Sequence, residues 1–226
     1  MQRSALFDQL LATDIYDLAV IGGGATGLGV ALDAALRGYK VVLLEAHDFA
    51  KGTSSRATKL VHGGVRYLAQ GNLSLVKEAL HERGVLLHNA PHIAQPLAFV
   101  MPSYKWWETA FYGLGLKIYD LLAGKSAIGS TQFLSKEQVL ERLPEVQSTG
   151  LRGGVQYWDG QFDDARLAIE IARTAQTKGA LLLNYCSVEA LLHQNDKLVG
   201  LTCKDKESER IFDVHAKCVI NATGVW

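Results

Sequence analysis

The fold is decided by the stretch YDLAVIGGGATG, residues 16–27. Its first six residues form a largely apolar run that leads into glycines, which is typical of a strand buried on both faces of a parallel sheet. Gly22, Gly24 and Gly27 then follow the spacing G-x-G-x-x-G. Glycines at these positions allow a tight turn, close approach of a diphosphate to the backbone, and close packing of a helix on a strand. The stretch therefore predicts a strand, a dinucleotide-binding turn and the start of a helix.

The next residues complete a strand–helix–strand unit. Residues 26–37 are rich in Ala and Leu, and they end in a basic residue followed by Gly38, which is suited to a left-handed cap. Residues 40–45, KVVLLE, predict a second buried strand. Glu45 ends this strand, where an acidic side chain can accept hydrogen bonds from a ribose hydroxyl. The unit predicts an α/β fold with a doubly wound parallel sheet.

Composition excludes several classes of protein. The chain of 226 residues is 48% hydrophobic with only 4 Pro, so a globular core is expected. Lys plus Arg is 23 and Asp plus Glu is 23, which leaves no net charge to attract nucleic acid. The 3 cysteines contain no Cys-x-x-Cys pair, so we expect a reducing compartment, no disulfide framework and no metal site. Residues 1–17 predict no secretory signal, and no membrane-spanning helix is expected.

A concentrated basic stretch follows the second strand. Residues 49–77 contain no acidic residue and include Lys51, Arg56, Lys59, Arg66 and Lys77. The small residues between them supply hydroxyls, backbone N–H groups and room for a flat ligand. This pattern favours an anion site, with a solvated basic loop as the alternative. A second glycine turn, NATG at residues 221–224, follows a late apolar strand, and in a flavin fold such a strand returns beside the first one.

The remaining patterns predict further helices and strands. We expect helices at residues 72–89, 106–122, 136–143 and 163–178, and strands at 97–101, 180–185, 187–193, 198–204, 210–214 and 218–221. The charge run at 204–210 predicts a solvated hairpin turn. Residues 104–119 mix Trp, Tyr and Lys, which suits either an interfacial helix or core packing, and core packing is favoured.

The motifs together carry a family resemblance. Residues 21–27, IGGGATG, followed by Gly29, Ala31, Asp33 and Arg37-Gly38, resemble the opening signature of the FAD-dependent glycerol-3-phosphate dehydrogenases. Further blocks match in the same order: GTSSR (52–56), KLVHGGVRYL (59–68), LVKEA (75–79), Glu82-Arg83, DDARL (163–167) and NATG (221–224). Leu28 departs from the smaller residue usual at its position. The family has a second half that this sequence does not contain, so the chain resembles an N-terminal portion.

The resemblance implies a fold and an activity. The implied fold is a Rossmann-like FAD-binding fold of the glutathione-reductase or D-amino-acid-oxidase type, with part of a substrate domain. Residues 16–96 and 151–226 would form the FAD-binding domain, and 97–150 would belong to the substrate or cap domain. The implied activity is oxidation of sn-glycerol 3-phosphate to dihydroxyacetone phosphate, with electrons passed to a quinone. The family also implies a peripheral location on the cytoplasmic side of a membrane, or a soluble cytoplasmic one.

The resemblance also implies site residues. Arg66 would bind the substrate phosphate as a planar fork and Tyr67 would orient the substrate. The expected cofactor-binding residues are Gly22, Gly23, Gly24, Ala25, Thr26, Gly27, Glu45, Thr53, Ser54, Ser55, Lys59, Leu60, His62, Gly63, Gly64, Ala222, Thr223 and Gly224. No general base is assigned. Two alternatives stay open: another flavin oxidoreductase of the same fold, such as an amino-acid or 2-hydroxy-acid oxidase, and an inactive flavin-binding fragment.

Overall fold

The computed structural model describes residues 3–225, apart from the side chains of Arg66 and Ala69. The helices are α1 (Arg3–Leu11), α2 (Ala25–Leu36), α3 (Val65–Ala69), α4 (Leu73–Asn89), α5 (Glu108–Ala123), α6 (Lys136–Arg142) and α7 (Asp164–Thr177). The strands are β1 (Tyr16–Ile21), β2 (Val41–Leu44), β3 (Leu60–Val61), β4 (Ala94–Ser103), β5 (Gln132–Leu134), β6 (Gly153–Phe162), β7 (Leu181–Leu183), β8 (Cys186–Gln194), β9 (Lys197–Asp205) and β10 (Ile211–Asn221). The chain forms two compact units, one comprising Met1–Ala57 with Asp164–Trp226 and the other Thr58–Asp163.

The first unit is built on a six-stranded sheet in the order β7-β2-β1-β10-β9-β8. The neighbours among β7, β2, β1 and β10 pair in parallel, whereas β8, β9 and β10 pair antiparallel. Neighbouring residues of one strand point to opposite faces, so Ala19 and Val20 of β1 belong to two different buried clusters. Burial on both faces explains the continuous apolar runs. The predicted α/β fold with a parallel sheet is confirmed.

Strand β10 differs from the prediction of two strands at 210–214 and 218–221. It is one strand of 11 residues, because the polar residues in its middle, His215 and Lys217, alternate with buried ones and stay exposed. Its first half pairs with β9, and from Ala216 onward it pairs with β1. The predicted hairpin turn lies between β9 and β10, although Asp205 at its start is buried.

The second unit is built around β6, which the sequence patterns did not predict. The segment GGVQYWDGQF lacks both a continuous apolar run and a strict alternation. It nevertheless pairs with β3, β4 and β5. Strand β6 joins residues 60–61 and 94–103 in one sheet. The boundaries between the two compact units therefore lie at 57/58 and 163/164, whereas the predicted domain boundaries lie at 96/97 and 150/151. The division of the chain between cofactor and substrate binding stays a prediction.

Helix α5 has two contrasting faces within the second unit. Gly113, Leu116, Tyr119 and Ala123 are buried. The expected core packing is wrong for the other face, where large apolar side chains are exposed: Phe111, Leu114, Ile118 and Leu121. Trp106, two residues before α5, is exposed as well. Within residues 3–225, no helix combines the length and the apolar content needed to cross a membrane.

Candidate functional site

A cleft of about 160 Å³ lies in the first unit, at the carboxyl ends of its parallel strands. Three turns of the chain line it: the glycine turn after β1, the segment after β2, and the turn after β10. The lining residues are Gly22, Gly24, Ala25, Thr26, Glu45, His47, Lys51, Gly52, Thr53, Ser54, Ala222, Thr223, Gly224 and Val225. Open α/β sheets bind ligands at this edge. The structure thus brings most of the predicted cofactor residues of this unit together.

Two glycines of the first turn, Gly22 and Gly27, are required by close backbone contacts. Gly22 has φ of +109°, and a Cβ there would clash with the carbonyl oxygen of Ala222. A Cβ on Gly27 would clash with the carbonyl oxygen of Gly22. Gly24 precedes α2 in extended conformation, and a side chain there would enter the cleft and meet Ser54 Oγ at 3.1 Å. The turn therefore keeps the cleft open at the N-terminal end of α2.

Two side chains connect the glycine turn to the segment after β2. Glu45 Oε2 accepts a hydrogen bond from the N–H of Gly23 at 2.6 Å, and Oε1 accepts one from the N–H of His47 at 2.7 Å. Ser54 Oγ accepts the N–H of Ala25, in the first turn of α2, at 2.8 Å. Each carboxylate oxygen of Glu45 keeps a further lone pair that a hydroxyl could use. Glu45 and Ser54 thus shape the cleft and also line it.

The late turn lies beside the first one because β10 pairs with β1. The N–H of Ala222 donates to the carbonyl of Ile21 at 2.8 Å. Asn221 Oδ1 accepts the N–H of Thr223 at 3.1 Å, and Gly224 has φ of +73°. A late strand was predicted to return beside the first strand, and β10 does so by pairing with β1.

The other predicted site residues fall in different places. Ser55 lies in the short 3₁₀ turn Thr53–Ser55, and its hydroxyl donates to the carbonyl of Gly52 at 3.5 Å. Lys59, Leu60, His62, Gly63, Gly64 and Tyr67 belong to the second unit. Tyr67 is 42% exposed. The side chain of Arg66, the predicted phosphate ligand, lies outside the described part of the structure.

Several cleft residues were not predicted. Lys51 and Gly52 belong to the basic stretch, so their position was signalled by charge and small residues, but no residue-level role was assigned to them. His47 lies two residues after Glu45. It lines the cleft because the hydrogen bond from its N–H to Glu45 stabilises a tight turn. Val225 is placed by the late turn. Among the described residues, no group of His, Cys, Asp and Glu side chains could hold a metal ion.

A buried polar cluster lies under the predicted flavin-side loop of the second unit. Asp159 Oδ1 accepts the N–H of Gly63 at 3.1 Å and Nη1 of Arg83 at 3.0 Å. Asp159 Oδ2 accepts the hydroxyl of Tyr119 at 3.2 Å. Burial, together with the nearby Asp159 carboxylate, raises the pKa of Tyr119 well above its usual value. Sequence reasoning missed this cluster because β6, which carries Asp159, was not predicted.

Comparison with known proteins adds to this geometry. Residues 17–226 match the family described as FAD dependent oxidoreductase. The chain belongs to this family. This agrees with the predicted fold and with a dinucleotide site at the glycine turn.

Named relatives of the family are similar over nearly the whole chain. The mitochondrial glycerol-3-phosphate dehydrogenase of Homo sapiens is 48% identical over 98% of this chain and 32% of that protein. The Saccharomyces cerevisiae protein of the same name is 42% identical over 99% of this chain and 36% of that protein. The predicted resemblance is confirmed, and the chain spans about a third of the length of these relatives.

Solved structures of the family share the fold. A glycerol-3-phosphate dehydrogenase from Bacillus halodurans, solved in complex with FAD, superposes with a TM-score of 0.76 at 35% identity. The match covers 99% of this chain and 37% of that one. A glycine oxidase from Bacillus cereus superposes with a TM-score of 0.63 at 23% identity, which shows the common fold alone.

Proposed function

We propose that the chain binds FAD and belongs to an enzyme that oxidises sn-glycerol 3-phosphate to dihydroxyacetone phosphate. The observation that carries this proposal is the similarity to glycerol-3-phosphate dehydrogenases over 98% of the chain at 48% identity. The site supports it, because a dinucleotide cleft lies where the family fold requires one. The amino-acid oxidase alternative rests on likeness of fold, such as that of the glycine oxidase at 23% identity.

The residues of the cleft fit the diphosphate and adenosine parts of FAD. Gly24 leaves a cradle that a side chain would fill, and the first N–H groups of α2 lie at its edge. We assign the diphosphate to Gly22–Gly27 with Thr53, Ser54 and Ser55, and the adenosine ribose to Glu45. Ala222, Thr223 and Gly224 complete the cofactor contacts. Lys51 contributes a positive charge to the same cleft.

The second unit supplies the remaining proposed contacts. We assign Lys59, Leu60, His62, Gly63 and Gly64 to the cofactor, with the three residues of the His62–Gly64 loop beside the flavin ring. When bound, FAD supplies the group that accepts a hydride from C2 of the substrate. Arg66 binds the substrate phosphate and Tyr67 orients the reacting alcohol by hydrogen bonding. The partial exposure of Tyr67 supports this role. A quinone would accept the electrons from the reduced cofactor.

The test is the visible spectrum of the purified chain with FAD, recorded without oxygen before and after addition of sn-glycerol 3-phosphate. We expect bound flavin to bleach with this substrate and to recover its absorbance with a soluble quinone. Bleaching by an amino acid and not by glycerol phosphate would assign the chain to the oxidase alternative. Bound flavin that no substrate bleaches would support a flavin-binding fragment without activity of its own.

A second proposal concerns the exposed face of α5. We propose that this face lies against a membrane surface on its cytoplasmic side. Trp106 is 82% exposed, Phe111 65% and Leu121 81%, and Lys105, Lys117 and Lys125 are close to them in the sequence. Exposed aromatic and aliphatic side chains with flanking lysines are typical of helices that lie in a membrane interface.

Flotation with vesicles of phosphatidylcholine and phosphatidylglycerol tests the membrane proposal. We expect the unchanged chain to float and the double variant F111S/L121S to stay in the soluble fraction, since it loses two exposed apolar side chains from α5. Leu36→Ser is the matched control, because Leu36 is a 59% exposed apolar residue on α2. Equal flotation of the double variant and the control would contradict a membrane role for α5.

A further inference from the structure

The cluster of Asp159, Arg83 and Tyr119 is almost fully buried in the second unit. The three residues are 3%, 2% and 1% exposed, respectively. A buried ion pair adds little net stability, because removing two charges from water costs about as much as their attraction returns. Replacement by apolar residues of similar volume would often serve the core as well. The cluster therefore needs an explanation other than stability, and its contacts supply one.

One of the hydrogen bonds that Asp159 accepts comes from a backbone group of the loop above it. Oδ1 accepts the N–H of Gly63 at 3.1 Å as well as the N–H of Gly160 at 3.2 Å and Nη1 of Arg83 at 3.0 Å. Tyr119 donates its hydroxyl to Oδ2 at 3.2 Å, so both carboxylate oxygens are fixed. Arg83 is itself held by the carbonyl oxygens of Trp158 and Ser126.

The loop is also fitted sterically to this cluster. A Cβ on Gly63 would clash with the hydroxyl of Tyr119 and with Cδ2 of Leu80. Gly64 adopts φ of +76° and immediately precedes α3, the helix that carries Tyr67. In a trans peptide the N–H and the preceding carbonyl point in opposite directions. With the N–H of Gly63 directed at Asp159, the carbonyl of His62 points away from the buried carboxylate.

We propose that Asp159 is a positioning residue that fixes the peptide between His62 and Gly63, with its N–H inward and its carbonyl outward, and thereby sets the environment of the bound flavin. Arg83 and Tyr119 hold the carboxylate in the orientation that this requires. The first half of the proposal concerns the chain alone. The second half rests on the proposed function, because it assumes that the His62–Gly64 loop contacts FAD.

Hydrogen exchange of glycine amides tests the first half without cofactor. The chain is labelled with ¹⁵N-glycine, and Asp159→Asn and Tyr119→Phe are compared with Tyr112→Phe, a control on the same helix whose ring packs on Trp107 and Phe111. We expect the Gly63 amide to exchange roughly tenfold faster in D159N, and faster to a smaller extent in Y119F. Gly113 and Gly154 should keep their rates.

The outcomes separate positioning from general stability. Unchanged exchange at Gly63 in both variants overturns the proposal, and so does a uniform increase at Gly63, Gly113 and Gly154, since that indicates loss of stability in the whole unit. If D159N does not fold because Arg83 is left unpaired, Y119F alone decides, because it removes one hydroxyl and keeps the ring. Faster exchange confined to Gly63 and Gly64 supports the proposal.

Titration of the same variants with FAD tests the second half. We expect the visible absorption maxima of bound FAD to shift in Y119F relative to the unchanged chain, with no shift in Y112F. A loosened Gly63 with unshifted maxima would overturn the link to the flavin. Failure of the unchanged chain to bind FAD would overturn the proposed function and the link to the flavin. The exchange rates would still test whether Asp159 fixes the peptide between His62 and Gly63.

Discussion

At the scale of single residues, the glycines of the first turn serve different purposes. Gly22 and Gly27 are fixed by backbone atoms that leave no room for a Cβ, whereas Gly24 borders the cleft. Gly29 lies in the interior of α2 with nothing within 4 Å of a built Cβ. The sequence spacing identified the first three positions, and the structure gives the backbone atom that excludes a side chain at Gly22 and at Gly27.

Gly27→Ala and Gly29→Ala form a matched pair within α2. We expect G27A to lower the free energy of unfolding by about 1–3 kcal/mol, because its Cβ would displace the backbone of Gly22. We expect G29A to raise it by about 0.5–1 kcal/mol, because alanine loses less backbone entropy than glycine in a helix. Urea unfolding measures both values. A stability loss in G29A equal to that in G27A would contradict the steric explanation.

At the scale of elements, two ion pairs of Arg3 hold α1 to the β9–β10 hairpin, one to Asp205 and one to Oε2 of Glu207 at 3.2 Å. Arg3 donates to Oδ1 of Asp205 at 2.5 Å, and the Asp205 side chain is only 3% exposed. Ser208 donates to the same carboxylate through its N–H at 3.1 Å. Burial alone would raise the pKa of Asp205, but the hydrogen bonds from Ser208 and Arg3 outweigh it, and the pKa lies below its usual value.

This shift predicts a pH dependence of stability. A carboxyl group whose pKa is lower in the folded state stabilises that state above its unfolded pKa of about 3.9, and the contribution is lost as pH falls through the folded pKa. We therefore expect Asp205→Asn to flatten the decline of the free energy of unfolding between about pH 5 and pH 2. Urea unfolding across this range provides the measurement, with the exposed Asp33→Asn as control. An unchanged slope in D205N would contradict the assignment.

Local sequence patterns predicted some helices and strands of this chain and missed others. Helix α6 was predicted at 136–143, and in the structure Ser135 and Gln138 form a capping box with both reciprocal hydrogen bonds at its start. Strand β6 was missed because its glycines and polar residues resemble a loop, although three strands pair with it. Helix α1 was missed as well, because its contacts are with residues far along the chain, such as Asn184, Asp205 and Phe212.

At the scale of the whole molecule, ligand binding should be visible as stability. A ligand that binds only the folded state at a free concentration of 100 times its Kd adds about 2.7 kcal/mol. We expect FAD to raise the thermal midpoint of the chain, and FMN, which lacks the adenosine part, to raise it less. Gly24→Val should abolish the FAD effect, because its extended backbone accepts a side chain that fills the cleft.

The outcome is judged against G29A, which leaves the cleft unchanged. A midpoint that rises equally with FAD in G24V and G29A would contradict the assignment of the diphosphate to this turn. A midpoint that responds to FMN as strongly as to FAD would contradict the role assigned to Glu45 in binding the adenosine ribose.

The sequence by itself determined the α/β sheet, the glycine turn, Glu45 at the end of the second strand and the family of the chain. These features are local, since the periodicity and spacing of neighbouring residues encode them. Only the tertiary structure decided that β10 is one strand serving two neighbours, that β6 forms the centre of the second sheet, and that Asp159 contacts Gly63. Those features depend on pairings between distant segments, which no local pattern records.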